Sequence, residues 1–320
     1  MDKKRILQIL IVLCILAPLV VLAVMWGTNG RTYTTDGYYF DTYVSITVYS
    51  LKDAGYLDEC LEICQKYDDS LGRLSLGEMT MINQQAYAGV NVSDDTYYLF
   101  ERALEFCDET NGAVDITIAP LVDIWGFTHN MSGNSSADRK PTDLEIRQAL
   151  KKVNYKRVKL YEGNRVKFYD SNVQVDLGFI AKGFVADKIK EYLVEKGVKS
   201  AIISLGGNVV VIGSKPDGSD YNIGIKDPDN PEGIIDSISV SDKSVVTSGT
   251  YERYVEYDGV KYHHILNTNN GYPVKTNVKS VTVISDSSLE GDALSTICLI
   301  LGEEKSKDIL EKYNAQAIFY

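Results

Sequence analysis

The sequence predicts an α+β fold with mixed, largely antiparallel sheets and packed helices, preceded by one N-terminal transmembrane helix. Three observations support this prediction. Residues 6–26 form an apolar stretch without a charge. From residue 201 onward, short β-rich segments follow one another through turns, without the regular helix alternation of a doubly wound fold. Helical patterns lie before and after this block, so we expect helices packed against antiparallel sheets.

The composition is that of a globular protein with a substantial core. The chain has 320 residues, of which 44% are hydrophobic and 24% are charged. A net charge of -11 argues against a nucleic-acid partner, because phosphate backbones are bound by basic faces. It does not argue against a nucleotide held by a metal ion and backbone groups. The five cysteines lack the spacing of a disulfide framework or a zinc site, so we expect apolar fillers.

The N-terminal apolar stretch is long enough to cross a bilayer as a helix. Three basic residues precede it and only Arg31 follows closely, so the N-terminus should stay in the cytoplasm. A cleaved signal peptide is the alternative, but the stretch is longer than a usual signal core and W-G-T-N-G is a poor cleavage site. We therefore expect an anchor and linker at residues 1–31 and an extracytoplasmic domain at residues 32–320 of a cell-membrane protein.

Local patterns predict the elements before residue 200. Residues 27–38 are polar and glycine-containing, so we expect a linker there. The alternating Y-V-S-I-T-V-Y predicts a strand at residues 43–49. Thr142 and Glu145 form a capping box for a short helix. The other expected elements are helices at 53–69 and 94–112, a polar loop at 128–141, a hairpin at 156–161 and 165–169, and a helix at about 180–197.

The block of strands after residue 200 is followed by an apolar helix that Gly302 ends. Asp292 and Thr296 lie four residues apart, on one face of its first turns. An N-terminal cap would explain a carboxylate there. Two hard oxygen ligands for one Mg²⁺ are the alternative. The strands are expected at 201–205, 209–212, 221–226, 234–240, 244–248, 251–257, 262–266 and 280–285.

Several stretches interrupt the apolar pattern with glycines and functional groups. Asp115 and Thr117 alone could form a capped turn that leads into a buried Trp125. After residue 175 a strand runs through a glycine turn into a helix, whose first amides and Lys182 could hold an anion, although a turn with Lys182 in solvent is equally expected. His263 and His264 should point to opposite faces, so at most one belongs to a site. The stretches are 111–127, 175–189, 204–213, 246–254 and 263–273.

Taken together and in order, these stretches resemble the ApbE family, the FAD:protein FMN transferases. The family's landmarks are G-A-F-D-x-T-x-x-P-L-x-x-x-W-G-F, D-L-G-x-x-A-K-G, a strand with G-G, T-S-G-x-Y-x-R, H-I-x-D-P-x-T-G-x-P and D-A-L-S-T. The resemblance covers roughly residues 38–320. In this chain the landmarks lie at Gly112–Phe127, Asp176–Gly183, Gly206-Gly207, Thr247–Arg253, His264–Pro273 and Asp292–Thr296.

The resemblance implies a reaction and a set of ligands. FAD is split at its pyrophosphate, FMN is joined through a phosphoester to a Ser or Thr hydroxyl, and AMP leaves. The implied acceptor is a flavoprotein subunit with a D-x-x-S/T-G/S/A-A-T type motif. Mg²⁺ would be held by Asp292, Thr296 and the backbone carbonyl of Phe179.

The resemblance also assigns roles in FAD binding and catalysis. Lys182 would position the phosphates, and Phe40 could pack on the flavin. His264 is the leading candidate to remove or orient the proton of the acceptor hydroxyl, and Asp176 is the rival base. Asn83 matches a position that favours transfer over hydrolysis. The implied FAD-contacting residues are Phe40, Asn83, Ala113, Val114, Asp115, Asp176, Lys182 and Ile265.

The sequence departs from the family in one loop and leaves other functions open. Asn267-Thr268-Asn269-Asn270 replaces the family's D-P-x-T after the histidine, although asparagines can still support a turn. One alternative function is an Mg²⁺-dependent FAD pyrophosphatase with water as the acceptor. Another is a non-catalytic, membrane-anchored flavin-binding module. A self-flavinylated electron carrier would need the acceptor motif, which this chain lacks.

Overall fold

The fold was analysed in a computed structural model that describes residues 31–127, 139–230 and 232–320. Within these ranges no helix combines the length and the apolar character that a bilayer span requires. The predicted anchor at residues 6–26 and most of the predicted loop at 128–141 lie outside the described residues.

The described residues form helices and strands in mixed order, as an α+β fold requires. The helices are α1 (Leu57–Leu71), α2 (Glu78–Gln85), α3 (Asp94–Glu109), α4 (Ala119–Trp125), α5 (Asp143–Leu150), α6 (Ala181–Glu195), α7 (Ser288–Leu301) and α8 (Glu303–Lys312). Short 3-10 helices lie at Asp53–Tyr56, Ile116–Ile118 and Tyr155–Arg157. The strands are β1 (Tyr33–Tyr39), β2 (Thr42–Val48), β3 (Val90–Asn91), β4 (Val158–Tyr161), β5 (Arg165–Phe168), β6 (Ala201–Leu205), β7 (Asn208–Ile212), β8 (Tyr221–Lys226), β9 (Ile234–Val240), β10 (Ser244–Gly249), β11 (Tyr254–Tyr257), β12 (Val260–His263), β13 (Ser280–Ser285) and β14 (Gln316–Phe319).

A seven-stranded sheet with the order β1-β2-β6-β7-β10-β13-β14 organises the molecule. All neighbouring strands in it pair antiparallel, and so do the strands of the smaller sheets β3-β5-β4, β8-β9 and β11-β12. The predicted α+β class with antiparallel sheets is therefore confirmed for the described residues.

Helices α1, α6 and α7 pack against the large sheet, and α6 also packs against both α1 and α7. Val44, Ile46 and Val48 alternate along β2 and are fully buried, so the strand presents one apolar face to the core. Helix α7 is apolar on nearly every side because it lies between α6 and the strands β10 and β13. The N-terminal ends of α6 and α7 thereby meet beside the sheet.

Strand β1 corrects the prediction that residues 27–38 are a linker. Every residue of β1 pairs with β2, from Tyr33 opposite Val48 to Tyr39 opposite Thr42. Its alternate residues are exposed, since β1 is an edge strand, and this explains a polar composition that resembles a linker.

Other differences concern short or polar elements. Helices α2 and α8 and strand β14 were not predicted from the sequence. The predicted helix at 94–112 ends at Glu109, because Asn111 and Gly112 have φ angles of 50° and 80°. The strands predicted at 251–257 and 262–266 are shorter and pair as the hairpin of β11 and β12. The hairpin of β4 and β5 is confirmed.

Candidate active site

One large cavity, of about 1260 Å³, opens at the end of the main sheet. The turn between β1 and β2, the turn between β6 and β7, and the N-terminal part of α6 form its wall. Of the residues that the sequence singled out, the cavity is lined by Phe40, Ala113, Val114, Asp115, Asp176, Phe179, Lys182, His264, Ile265, Asp292 and Thr296. Side chains that are far apart in the sequence therefore converge on one site.

Asp292 does not cap its helix. The cap of α7 is Ser287, whose Oγ accepts a hydrogen bond from the amide of Glu290 at 3.3 Å. Asp187 satisfies two further first-turn amides, those of Ser288 at 2.8 Å and Leu289 at 2.9 Å. The cap interpretation is thus wrong, and Asp292 is left for another role.

The Asp292 carboxylate is only 3% exposed and lies at the wall of the cavity. Its Oδ2 accepts a hydrogen bond from the amide of Gly183 at 2.9 Å, and its Oδ1 lies 3.5 Å from Nζ of Lys182. Burial raises the pKa of the Asp292 carboxyl, and the neighbouring Lys182 ammonium lowers it. A buried carboxylate with one salt-bridge partner among the described residues can accommodate a further positive ligand.

The backbone just before α6 includes a carbonyl, that of the lining residue Phe179, without its helical hydrogen bond. In a regular helix the amide of Gly183 would bond the carbonyl of Phe179, four residues earlier. Here that amide donates to Asp292 instead, so the Phe179 carbonyl lacks its helical donor. Thr296, one turn after Asp292, adds a hydroxyl that lies 3.3 Å from Oγ of Ser248.

This donor set fits Mg²⁺. A carboxylate, a hydroxyl and a free carbonyl are hard oxygen ligands, and so few protein ligands leave positions for phosphate and water. No group of three or more His, Cys, Asp and Glu side chains that could hold a metal occurs in the described residues. An ion held by these groups would therefore not rely on a cluster of protein carboxylates.

The rival base Asp176 has both carboxylate oxygens engaged. Its Oδ1 accepts from the amide of Gly178 at 2.8 Å, and its Oδ2 accepts from Nη1 of Arg73 at 3.2 Å. Arg73 also makes a bidentate pair with Asp123, with both oxygens 2.9 Å from Nη2. Both oxygens of Asp176 therefore have protein donors already, and the choice between Asp176 and His264 as the base stays a prediction.

His264 is held in one orientation by the backbone. Its Nδ1–H donates to the carbonyl of Arg253 at 3.1 Å, which leaves the lone pair on Nε2. Burial lowers the pKa of His264 to about 3, and the positive charge of Arg253 contributes. The imidazole is therefore neutral near pH 7 and can accept a hydrogen bond. His263 points elsewhere, since its Nε2–H donates to the carbonyl of Val274 at 2.9 Å.

Asp115 has a structural role as well as a place in the lining. One carboxylate oxygen accepts from the amide and hydroxyl of Thr117, at 2.7 and 2.6 Å. The other accepts from the amide of Tyr155 at 2.9 Å. The expected capped turn into Trp125, which is fully buried, is confirmed. Ala113 and Val114 lie on the same turn and face the cavity.

Asn83 is the one predicted FAD-contacting residue that does not line the cavity. Its side-chain amide donates to the carbonyl of Val175 at 3.1 Å and accepts from the Val175 amide at 2.7 Å. This pair fixes the segment that delivers Asp176. Asn83 therefore lies behind the cavity lining, where its hydrogen bonds position the backbone of Val175, next to Asp176.

The departure from the family's D-P-x-T leaves a well-bonded loop. Oδ1 of Asn267 accepts from the amide of Asn269 at 2.8 Å, and Oδ1 of Asn270 accepts from Tyr272 at 2.9 Å. Thr268 ties the loop to the cavity by donating to the carbonyl of Gly112 at 2.6 Å. The asparagines therefore supply the turn.

Sequence reasoning missed several residues of the lining. Asn208 follows the glycine pair 206–207 and is 1% exposed, yet its Nδ2 lacks a hydrogen-bond partner within the described residues. Arg73 belongs to a short loop without a recognised motif, and Arg253 ends the T-S-G-T-Y-E-R stretch. The position of Asn208 directly after two glycines was the available signal, because glycines permit close approach of a ligand.

Comparisons with known proteins agree with this geometry. The model of the ApbE family matches residues 40–319. An FAD:protein FMN transferase of Treponema pallidum is 34% identical over 307 residues, which cover 88% of this chain and 82% of that protein. One from Klebsiella pneumoniae is 34% identical over 298 residues, covering 91% and 90%. The crystal structure of the ApbE protein from Thermotoga maritima superposes with a TM-score of 0.82 at 34% identity, covering 90% of this chain and 94% of that one.

Proposed function

This chain belongs to the ApbE family, and from that membership we propose that it transfers the FMN moiety of FAD to a protein. The proposed acceptor group is a Ser or Thr hydroxyl of a flavoprotein subunit with the D-x-x-S/T-G/S/A-A-T type motif. The products are a phosphoester-linked FMN and free AMP, and the reaction depends on Mg²⁺. The convergence of Asp292, Lys182 and His264 on one cavity is the observation that supports this proposal best.

The proposed metal site uses the oxygens of Asp292, Thr296 and the Phe179 backbone. When bound there, Mg²⁺ would neutralise charge on the pyrophosphate and polarise the phosphorus. Lys182, 26% exposed at its side chain, lies beside this position and can neutralise a further phosphate oxygen. Arg253 and the buried amide of Asn208 add donors to the same lining.

The bond changes follow from this arrangement. The hydroxyl oxygen of the acceptor forms a bond to the phosphorus that carries the riboflavin part, and the bond from that phosphorus to the bridging oxygen breaks. The bridging oxygen leaves with AMP. Nε2 of His264 accepts a hydrogen bond from the hydroxyl and orients it. The lone pair on Nε2 can take the proton that the hydroxyl releases as the new bond to phosphorus forms.

The cellular arrangement is also a proposal. The basic residues before the apolar stretch at residues 6–26 support an anchor in the cell membrane, with the N-terminus in the cytoplasm. The catalytic domain would then meet its acceptors on the extracytoplasmic side. Protease accessibility of the domain in intact cells and in spheroplasts tests this orientation.

The experiment uses the purified full-length chain, FAD, Mg²⁺ and a folded acceptor domain that carries D-x-x-T-S-A-T. Acceptor mass and released AMP are followed together. We expect an FMN-sized mass gain that matches the AMP, and its loss in Asp292→Asn. The matched control is Asp286→Asn, an exposed carboxylate outside the cavity that pairs with Lys243.

Three outcomes each contradict a part of the proposal. AMP and free FMN without a modified acceptor would identify a pyrophosphatase. Bound FAD without AMP release would identify a flavin-binding module. Equal activity of Asp292→Asn and wild type would remove Asp292 from the proposed metal site.

A further inference from the structure

The loop between α1 and α2, residues 72–77, lines the cavity in part and exposes two leucines. Leu74 is 70% exposed and contributes to the cavity lining, and Leu76 is fully exposed at 102%. Single exposed leucines are common on protein surfaces and need no explanation. Two of them separated by a single residue, on a loop that lines the cavity, form a local apolar surface that we call the leucine rim.

The loop that carries the leucine rim is fixed rather than loosely attached. The Thr80 hydroxyl lies 3.0 Å from the carbonyl of Arg73 and 2.6 Å from that of Ser75, so it can donate to either. The Ser75 hydroxyl in turn lies 2.7 Å from the carbonyl of Gly72. These bonds hold the leucines outward without help from a partner.

Arg73 connects the same loop to the floor of the cavity. Its guanidinium pairs with Asp123 on α4 and with Asp176, which lines the cavity. The side chain of Arg73 is largely buried, so the pairing is shielded from solvent. The leucine rim is therefore rigidly positioned relative to the groups that would hold FAD.

We propose that the leucine rim contacts the acceptor protein of the FMN transfer. This inference rests on the proposed function. The reacting hydroxyl belongs to a folded acceptor protein that is too large to enter the cavity. The acceptor chain on both sides of that hydroxyl must therefore pass the opening of the cavity. Leu74 and Leu76 are the exposed apolar groups on the loop at that crossing. Their burial against apolar acceptor side chains would favour the complex.

Leu76→Ser is the decisive variant, since Leu76 does not line the cavity and its replacement leaves the FAD site intact. Leu51→Ser is the matched control. Leu51 is 65% exposed but follows the far end of β2, a strand of seven residues whose other end, Thr42, lines the cavity. Leu51 is therefore separated from the cavity end of β2 by roughly 20 Å of strand.

The test measures KM and kcat for the D-x-x-T-S-A-T acceptor domain, with FAD saturating, and the Kd for FAD separately. We expect Leu76→Ser to raise the acceptor KM about five- to twentyfold, with kcat and the FAD Kd unchanged. Leu76→Met, which keeps an apolar side chain, should leave the acceptor KM close to that of the wild type. Leu51→Ser should behave as wild type.

An unchanged acceptor KM in Leu76→Ser overturns the inference, provided that the wild type transfers FMN to the same domain. A raised FAD Kd in this variant also overturns it, because the residue would then belong to the FAD site. If the wild type itself transfers no FMN, the proposed function fails instead, so the two failures are distinguishable.

Discussion

The amide of Gly183 on α6 donates a hydrogen bond to the carboxylate of Asp292 on α7, across a distance of 2.9 Å. The two helices can approach this closely because residue 183 has no side chain. A Cβ at that position would lie 2.1 Å from the carbonyl oxygen of Ser288 and 2.7 Å from Cβ of Asp292. One glycine thus sets the position of the proposed metal ligand and frees the carbonyl of Phe179.

Gly183→Ala should therefore damage stability and metal binding together. The clash is with backbone, which cannot move away without separating α6 from α7, so we expect a loss of about 1–3 kcal/mol in the free energy of unfolding. Urea unfolding measures this loss, and calorimetry without FAD measures Mg²⁺ affinity. Gly55→Ala is the control, because a Cβ there meets nothing within 4 Å. If both variants gave the same urea unfolding curve, the close approach of α6 and α7 at residue 183 would be contradicted.

His264→Gln should reduce transfer more than FAD binding. The glutamine amide can accept a hydrogen bond but cannot take up the hydroxyl proton as the Nε2 lone pair of the imidazole can, and such assistance is typically worth about 10²–10⁴-fold in rate. We expect kcat to fall by about 10² or more while the FAD Kd changes little. His263→Gln is the adjacent control, since His263 does not line the cavity. If His263→Gln lowered kcat more than His264→Gln does, the assignment of this role to His264 would be wrong.

The buried imidazole also predicts how stability depends on pH. Folding lowers the pKa of His264 to about 3 from an ordinary value of about 6.5. Between these values the unfolded chain binds a proton that the folded chain does not. The free energy of unfolding therefore falls as the pH falls below about 6.5, by at most about 1.4 kcal/mol per pH unit from this residue.

His264→Gln removes that contribution. Between pH 7 and pH 5 the variant should lose less stability than the wild type, by about 1–2 kcal/mol in urea unfolding, after discounting the partial exposure of the ring. His263→Gln should show the same sign, because burial also lowers the pKa of His263. Parallel stability curves for wild type and His264→Gln would show that the ring gains its proton in the folded state.

Arg73→Lys should weaken FAD binding by releasing Asp176. The guanidinium contacts Asp176 with Nη1 and Asp123 with Nη2, whereas a lysine has only one nitrogen to divide between the two carboxylates. We expect the KM for FAD to rise about five- to twentyfold with a smaller change in kcat, measured by steady-state kinetics at saturating acceptor. Arg139→Lys, an exposed arginine paired with Glu145, is the control. An unchanged KM for FAD in Arg73→Lys would mean that Asp176 needs no anchor.

Local periodicity was enough to predict the key pair on α7. Asp292 and Thr296 are four residues apart in a helix, so their common face follows from the 3.6-residue repeat. The choice between cap and metal ligand did not follow, because the groups that cap α7 include Asp187, 100 residues earlier than Ser287. Such a partner becomes visible only when α6 and α7 are packed together.

The sequence pattern did not predict elements and contacts that depend on distant parts of the chain. Strand β1 is polar because one face is open to solvent at a sheet edge, and its pairing with β2 outweighs a weak local signal. Arg73 carried no signal because its partners, Asp123 and Asp176, are 50 and 103 residues away. Asn83 was recognised by position, but its contact with the Val175 backbone required the fold.

The cavity is assembled from segments at both ends of the domain, so it can form only late in synthesis of the chain. Gly183 and Asp292 are 109 residues apart, and Trp125 bonds the carbonyl of Gly271 across 146 residues. Contacts of such high sequence separation form late and slow the folding of a domain. A growing chain emerging from synthesis cannot complete the cavity until α7, near its C-terminal end, has docked. The nascent protein is therefore unable to act on FAD before almost the whole domain has been produced.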